Sequence, residues 1–233
     1  MTDTPVLAIP GWSCPPALME ELASGISARA STLGIDELFA PESDSLMDYA
    51  GALGAHLTEP SVLVGWSMGG MIALEAAIRY PERIQALILI NSTSCFVAND
   101  DYAEGVPAIQ LRAMIQQMQQ DANSVLTNFH AVMPDSARQT SLAYASELPP
   151  DQLIHDLLWL EQFDQRAGLS RVRCPVQIFS NPADPIIPPS ASEYLAEALP
   201  ESTLTPLNSP GHGGWIDEVP AILNHLSSST LFA

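Results

Sequence analysis

The chain has 233 residues, enough for one sizeable buried core; 47% are hydrophobic and only 6% aromatic, a composition that excludes a disordered tail and leaves two independent domains cramped. Twenty-seven acids stand against eight cations, all of them arginine, for a formal charge of −19. Such a surface repels phosphate backbones and anionic lipid, so neither a nucleic acid nor a membrane is an expected partner.

The N-terminal MTDTPVLAIPGW has no basic leader and only a short apolar stretch, and no later run approaches the length needed to span a bilayer. A cytoplasmic monomer is expected. Cys14, Cys95 and Cys174 are odd in number and scattered, which argues for buried free thiols rather than a disulfide framework or metal ligands; no cofactor and no metal is expected.

Four short apolar runs, 6–9, 61–65, 84–90 and 176–180, are bounded by Gly, Pro, Asn or Asp and predict buried strands of a parallel sheet. Helical patterns fall at 17–28, 46–57, 68–80 and 190–199, several stopped by a proline such as Pro81 or Pro200. This alternation predicts an α/β fold, a mostly parallel sheet covered on both faces. It breaks between Val97 and Gly168, where only helical patterns occur, at 109–118 and 153–163. The expected organisation is therefore a core of residues 1–97 and 169–233, with residues 98–168 inserted as a helical lid.

The segment Gly65-Trp66-Ser67-Met68-Gly69-Gly70 follows a predicted strand and opens a predicted helix. Gly-x-Ser-x-Gly in that context is a nucleophile elbow: a sharp turn presents the serine hydroxyl, and glycines flank it because side chains have no room. Ser67 is the candidate nucleophile, and the Met68 amide at the helix N-terminus can donate to a developing oxyanion. A serine needs a base, and the base needs a carboxylate to hold its tautomer. Of five histidines, His56, His130, His155 and His225 lie in helical patterns or the insertion and read as structural. His212 lies in Ser209-Pro-Gly-His-Gly-Gly-Trp215, a loop of small residues from which its ring can project. Asp184 follows the 176–180 strand and so sits on the sheet edge that carries Ser67; Asp164 and Asp217 are its rivals. The order Ser67, Asp184, His212 is the order found in α/β-hydrolases. A second oxyanion donor is expected from the loop after the first strand, where the Trp12 amide is the candidate. Trp12, Trp66 and Trp215 lie close to these elements and are candidates to line an apolar acyl pocket.

With Pro10-Gly11-Trp12, the Gly65–Gly70 elbow, Asp184-Pro-Ile-Ile-Pro188 and Gly211-His212 in place, the chain resembles the α/β-hydrolase superfamily over nearly its full length. The Gly-Trp start of the oxyanion loop, the elbow and the 157–166 segment LLWLEQFDQR make it most similar to the BioH-type pimeloyl-[acyl-carrier protein] methyl ester esterases of biotin synthesis. That resemblance implies hydrolysis of a methyl ester on an acyl chain presented by acyl carrier protein. It also implies a lid aromatic beside the chain, with Phe129 as the counterpart, and lid arginines that grip the carrier, matched at Arg138 and supplemented by Arg112 and Arg166. Pro10 replaces the usual histidine before the oxyanion glycine, and Gly214 replaces a usual proline. The residues themselves leave open a free small ester, lactone or thioester as substrate, and a catalytically silent binding protein of the same fold.

Overall fold

The computed structural model describes residues 2–39, 48–229 and 231. Its strands are β1 (Val6–Ile9), β2 (Ala30–Thr32), β3 (Ser61–Trp66), β4 (Ile84–Ile90), β5 (Val176–Ser180) and β6 (Ser202–Pro206), paired in parallel in the order β2-β1-β3-β4-β5-β6. Their side chains alternate between two apolar layers. Val6, Ala8, Val62, Val64, Trp66, Ile88 and Ile90 face one; Leu7, Ile9, Leu63, Leu87 and Leu89 face the other.

The first layer is closed by α1 (Glu20–Ile26) together with the C-terminal helix. Short α2 (Ile35–Leu38) follows β2, and α3 (Tyr49–His56) and α4 (Met68–Arg79) cover the second layer. Between β4 and β5 stand four helices, α5 (Ala108–Gln120), α6 (Ala122–His130), α7 (Asp135–Glu147) and α8 (Pro150–Gln162). Then come α9 (Pro189–Ala198) on the second layer and α10 (Val219–Ser228) on the first. Among the described residues no helix is long and apolar enough to cross a membrane. The three cysteines are free and buried.

The chain passes from β1 outward to β2, then returns to the other side of β1 to lay down β3. At such a switch point the connections diverge and leave a crevice beyond the strands' carboxyl ends. Ile9 pairs with Gly65 there, so the loop after β1 and the elbow after β3 lie side by side.

Several elements differ from the sequence expectation. β2 and β6 were not anticipated: both are edge strands with half-exposed, polar residues and carry no apolar run. The pattern at 17–28 divides into a 3-10 turn at Pro16–Met19 and a helix that ends before Ser27, where the backbone becomes extended. Of the pattern at 46–57, residues 46 and 47 lie outside the described residues, and Tyr49–His56 is helical. The insertion holds α6 and α7 beside the two expected helices. α7 buries Ala137, Ser141 and Ala145, a stripe of small residues at four-residue spacing that apolar periodicity does not register.

The insertion meets the core at a buried polar contact, where the Tyr49 hydroxyl of α3 donates to Asp156 of α8. Burial raises the Asp156 carboxyl from the ordinary carboxylate range to about 7. The folded state therefore binds this proton more tightly than the unfolded chain, and stability falls as pH rises from about 4 toward 7. Asp156→Asn keeps the acceptor for Tyr49 and removes the titration. Thermal melts should find the variant near wild type at pH 4.5 and more stable by on the order of 1–3 kcal/mol at pH 8.

Candidate active site

The elbow is built by close approach. A Cβ on Gly65 would lie 2.4 Å from Gly70 Cα, and one on Gly69 would lie 2.3 Å from the Pro10 carbonyl oxygen. With both absent, α4 starts directly after β3 and Ser67 takes φ 55°, ψ −122°, a conformation costly for a residue with a side chain. It is held from three sides: Ser67 N–H donates to Ile90 O (3.0 Å), while Met71 N–H (3.1 Å) and Ser92 Oγ (3.0 Å) donate to Ser67 O. A serine before a helix ordinarily caps it, yet the Ser67 side chain makes no capping bond. Its hydroxyl faces a cavity instead.

Asp184 and His212 come together in the structure. His212 Nδ1 lies 2.7 Å from Asp184 Oδ2, with both side chains essentially excluded from solvent. Asp184 Oδ1 accepts from the amides of Ile186 (2.8 Å) and Ile187 (3.0 Å), so the carboxylate is fixed at both oxygens. His212 Nε2 is buried with no hydrogen-bond partner among the described residues, leaving that nitrogen to serve a reacting group. The rivals lie elsewhere: Asp164 pairs with Arg166, and exposed Asp217 accepts from Ser136.

Two asparagines absent from the sequence reading hold the histidine loop. Asn91 Nδ2 donates to His212 O and to Asn181 Oδ1, each at 2.8 Å, and Asn181 Nδ2 donates to Ser209 O at 2.7 Å. Trp66 Nε1 adds a bond to His212 O at 3.1 Å. Farther along, Glu218 accepts from the Asn208 and Ser209 amides; burial alone would raise its carboxyl, but these bonds hold it below the ordinary value. The available signal was Asn91 directly after a strand, since asparagine tolerates the left-handed backbone found there (φ 43°).

The amides of Trp12 and Met68 flank Ser67 in sequence and across the β1/β3 pairing, and neither donates to another group among the described residues. In front of Ser67 lies an apolar cavity of about 170 Å³, walled by Trp12, Phe129, Leu157, Leu160 and Ile186. An outer groove of about 520 Å³ between α5 and α6 shares Gln110, Met114 and Phe129 with it and continues to Val132. Trp12 and Phe129 both wall the inner cavity, their rings edge to face at 4.8 Å.

Trp66 and Trp215 do not line this cavity, which corrects the expectation for both. Trp66 shares strand parity with Val62 and Val64, so its ring points into the layer opposite Ser67, packs on Trp215 at 5.5 Å, and supports the His212 ring from behind. The arginines differ from expectation as well. Arg138 pairs with Asp135 (2.8 Å) and donates to Met133 O (2.9 Å), bracing the loop after α6. Arg166 is largely covered, pairs with Asp164 (2.6 Å) and reaches Asp101 O, which ties down the loop before α5. Arg112 is mostly exposed and pairs with Glu161 at 2.5 Å.

The chain belongs to the α/β-hydrolase fold family, whose model matches residues 42–219. Within it, the chain is similar to pimeloyl-[acyl-carrier protein] methyl ester esterases: 29% identity to that of Aromatoleum aromaticum, covering 93% of this chain and 94% of the relative, and 30% to that of Chromobacterium violaceum, covering 80% and 77%. It is a carboxylic ester hydrolase of this BioH-like group. An esterase from Exiguobacterium antarcticum shares the fold, with a TM-score of 0.82 at 22% identity over 97% of this chain and 91% of that one.

The atoms a Cβ on Gly65 would meet are all backbone, which cannot swing aside. Gly65→Ala should therefore lower the unfolding free energy by about 1–3 kcal/mol or more in denaturant titrations and reduce ester turnover in whatever fraction remains folded.

Proposed function

We propose that this chain is a serine esterase whose substrate is the methyl ester of a pimeloyl chain carried on acyl carrier protein. The observation that carries the catalytic reading is the buried His212–Asp184 bond, which leaves Nε2 as the only imidazole nitrogen able to exchange a proton with Ser67. Ser67 Oγ attacks the ester carbonyl carbon and its proton passes to His212 Nε2. Asp184 stabilises the resulting imidazolium without taking the proton itself. The carbonyl oxygen, now negative, accepts from the Trp12 and Met68 amides, each worth about 3 kcal/mol in such a site, and the α4 N-terminus favours the same charge. Collapse expels methoxide, which takes the proton from His212 and leaves as methanol. A water deprotonated by His212 then attacks the acyl-serine, and the carboxylic acid is released as Ser67 recovers its proton.

The apolar cavity suits an alkyl chain, and residues 98–168 act as the lid over a core of 1–97 and 169–233. The names of the relatives support a carrier-bound substrate. A free small ester is the second reading, favoured because Arg112, Arg138 and Arg166 are each paired with an acid of this chain. Of the three, Arg112 is the most exposed and the one that can exchange Glu161 for an acidic partner.

Methanol release should be measured from the same pimeloyl methyl ester free and carrier-bound. A kcat/KM at least roughly tenfold higher for the carrier form, reduced by Arg112→Ala on that form alone, is the expected result. Equal values on both forms would select the free-ester reading. Ser67→Ala should lose roughly 10³-fold or more of the activity on either substrate and all labelling by a fluorophosphonate, with Asp184→Asn less severe. Persistent labelling of Ser67→Ala would place the nucleophile elsewhere.

A further inference from the structure

Two consecutive residues of the loop after β1 engage helices α8 and α6 of the insertion. Trp12 donates its indole N–H to Leu153 O in α8 at 3.2 Å and packs its ring against Phe129 of α6. Ser13 Oγ lies 3.1 Å from His130 Nε2, at the end of α6. Here Ser13 holds φ 54°, a left-handed conformation that a serine keeps only when its surroundings impose it. The peptide that carries the Trp12 N–H includes the Gly11 carbonyl, which accepts from Cys14 N–H at 3.2 Å, so the turn centred on Trp12 and Ser13 sets its direction and what holds Ser13 holds that turn.

His130 has no solvent exposure, and its Nδ1 makes no hydrogen bond among the described residues. Burial depresses its ionisation to about 4, so the ring is neutral near pH 7. A buried imidazole with one unsatisfied nitrogen is an expensive way to fill space, since an apolar side chain of similar size would avoid the loss. Among the described residues its one side-chain hydrogen bond is to Ser13.

We infer that His130 is a positioning residue for the oxyanion site: through Ser13 it aims the Trp12 amide, so that the seating of the insertion governs stabilisation of the transition state. This rests on the reading of Trp12 as an oxyanion donor. His130 touches neither substrate nor reacting atoms. Its ring also packs on Phe129 at 5.3 Å, so comparison with Ser13→Ala, which leaves that contact in place, separates loss of an interaction that strengthens as charge develops from a change in the cavity wall.

The test uses the full chain, with a methyl ester as substrate and a trifluoromethyl ketone as transition-state mimic. In His130→Ala, kcat should fall roughly ten- to hundredfold with KM within about twofold, and affinity for the ketone should fall in parallel with kcat/KM. Ser13→Ala removes the same bond from the other side and serves if His130→Ala does not fold. It should give a similar loss, and the double variant should be no worse than either single one. His130→Asn, which keeps a polar group near Ser13, should recover part of the rate. Unchanged kcat in folded variants, a loss confined to KM, or additive effects of the two substitutions would overturn the inference. Wild-type turnover that vanishes in Ser67→Ala establishes the underlying esterase reading separately, so failure of one is not mistaken for failure of the other.

Discussion

Backbone forced into the left-handed half of conformational space, at the carboxyl edge of one sheet, is the constraint on which the rest of the site depends. Among the described residues four that are not glycine have positive φ: Ser13, Ser67, Asn91 and Ala183. They follow β1, β3, β4 and β5 respectively, within four residues of each strand's end. Each costs on the order of 1–3 kcal/mol, and each supplies or directly adjoins a group of the site. Ser13 follows the Trp12 amide, Ser67 is the nucleophile of the proposed reaction, Asn91 grips His212 O, and Ala183 leads into Asp184. A regular strand or helix places side chains at fixed intervals along a surface. Converging four loops on one crevice needs sharper reversals, and the parallel sheet supplies the rigid, fully buried base that can hold them.

The same site manages charge by enclosing it. Two backbone amides and an imidazole keep both oxygens of buried Asp184 bonded. Asp156 has one tyrosine hydroxyl as its partner, and burial moves its ionisation to about 7. On the surface, where acids outnumber arginines, Arg29, Arg79, Arg83, Arg112, Arg138 and Arg166 each pair with an acid of the chain. Arg138 and Arg166 act as braces for loops of the insertion.

The sheet and the elbow were legible in the sequence because both are local. Four buried strands announce themselves as apolar runs, and Gly65, Ser67 and Gly69 need only their own strand and helix for context. Asp184 and His212 could be picked out by chain order and by the small residues around them. Trp66 was misplaced although parity with Val62 and Val64 already assigned it to the face opposite Ser67, so proximity in sequence misled where period two would have decided. Edge strands β2 and β6 bury too little to leave an apolar signature, and α7 packs through alanine and serine. Pairings such as Arg112 with Glu161, 49 residues apart, exist only in the folded chain.

The end of α6 shows why the insertion is more than a cover over the cavity. Phe129 meets Trp12, His130 meets Ser13, and the following turn reaches the histidine loop, where a Cβ on Gly213 would lie 2.8 Å from Met133 Sδ and from Pro134 Cδ. Arg138 ties that turn back to α7 through the Met133 carbonyl. Within six residues, then, the insertion touches both loops that bracket Ser67, the one carrying the Trp12 amide and the one carrying His212. The outer groove runs along the facing sides of α5 and α6 and shares Phe129 and Val132 with this stretch. Variation at its α5 residues, Gln110, Ala113, Met114 and Gln117, can reshape the groove without touching either loop. Phe129 cannot be varied in the same way, because it walls the cavity and also packs against Trp12.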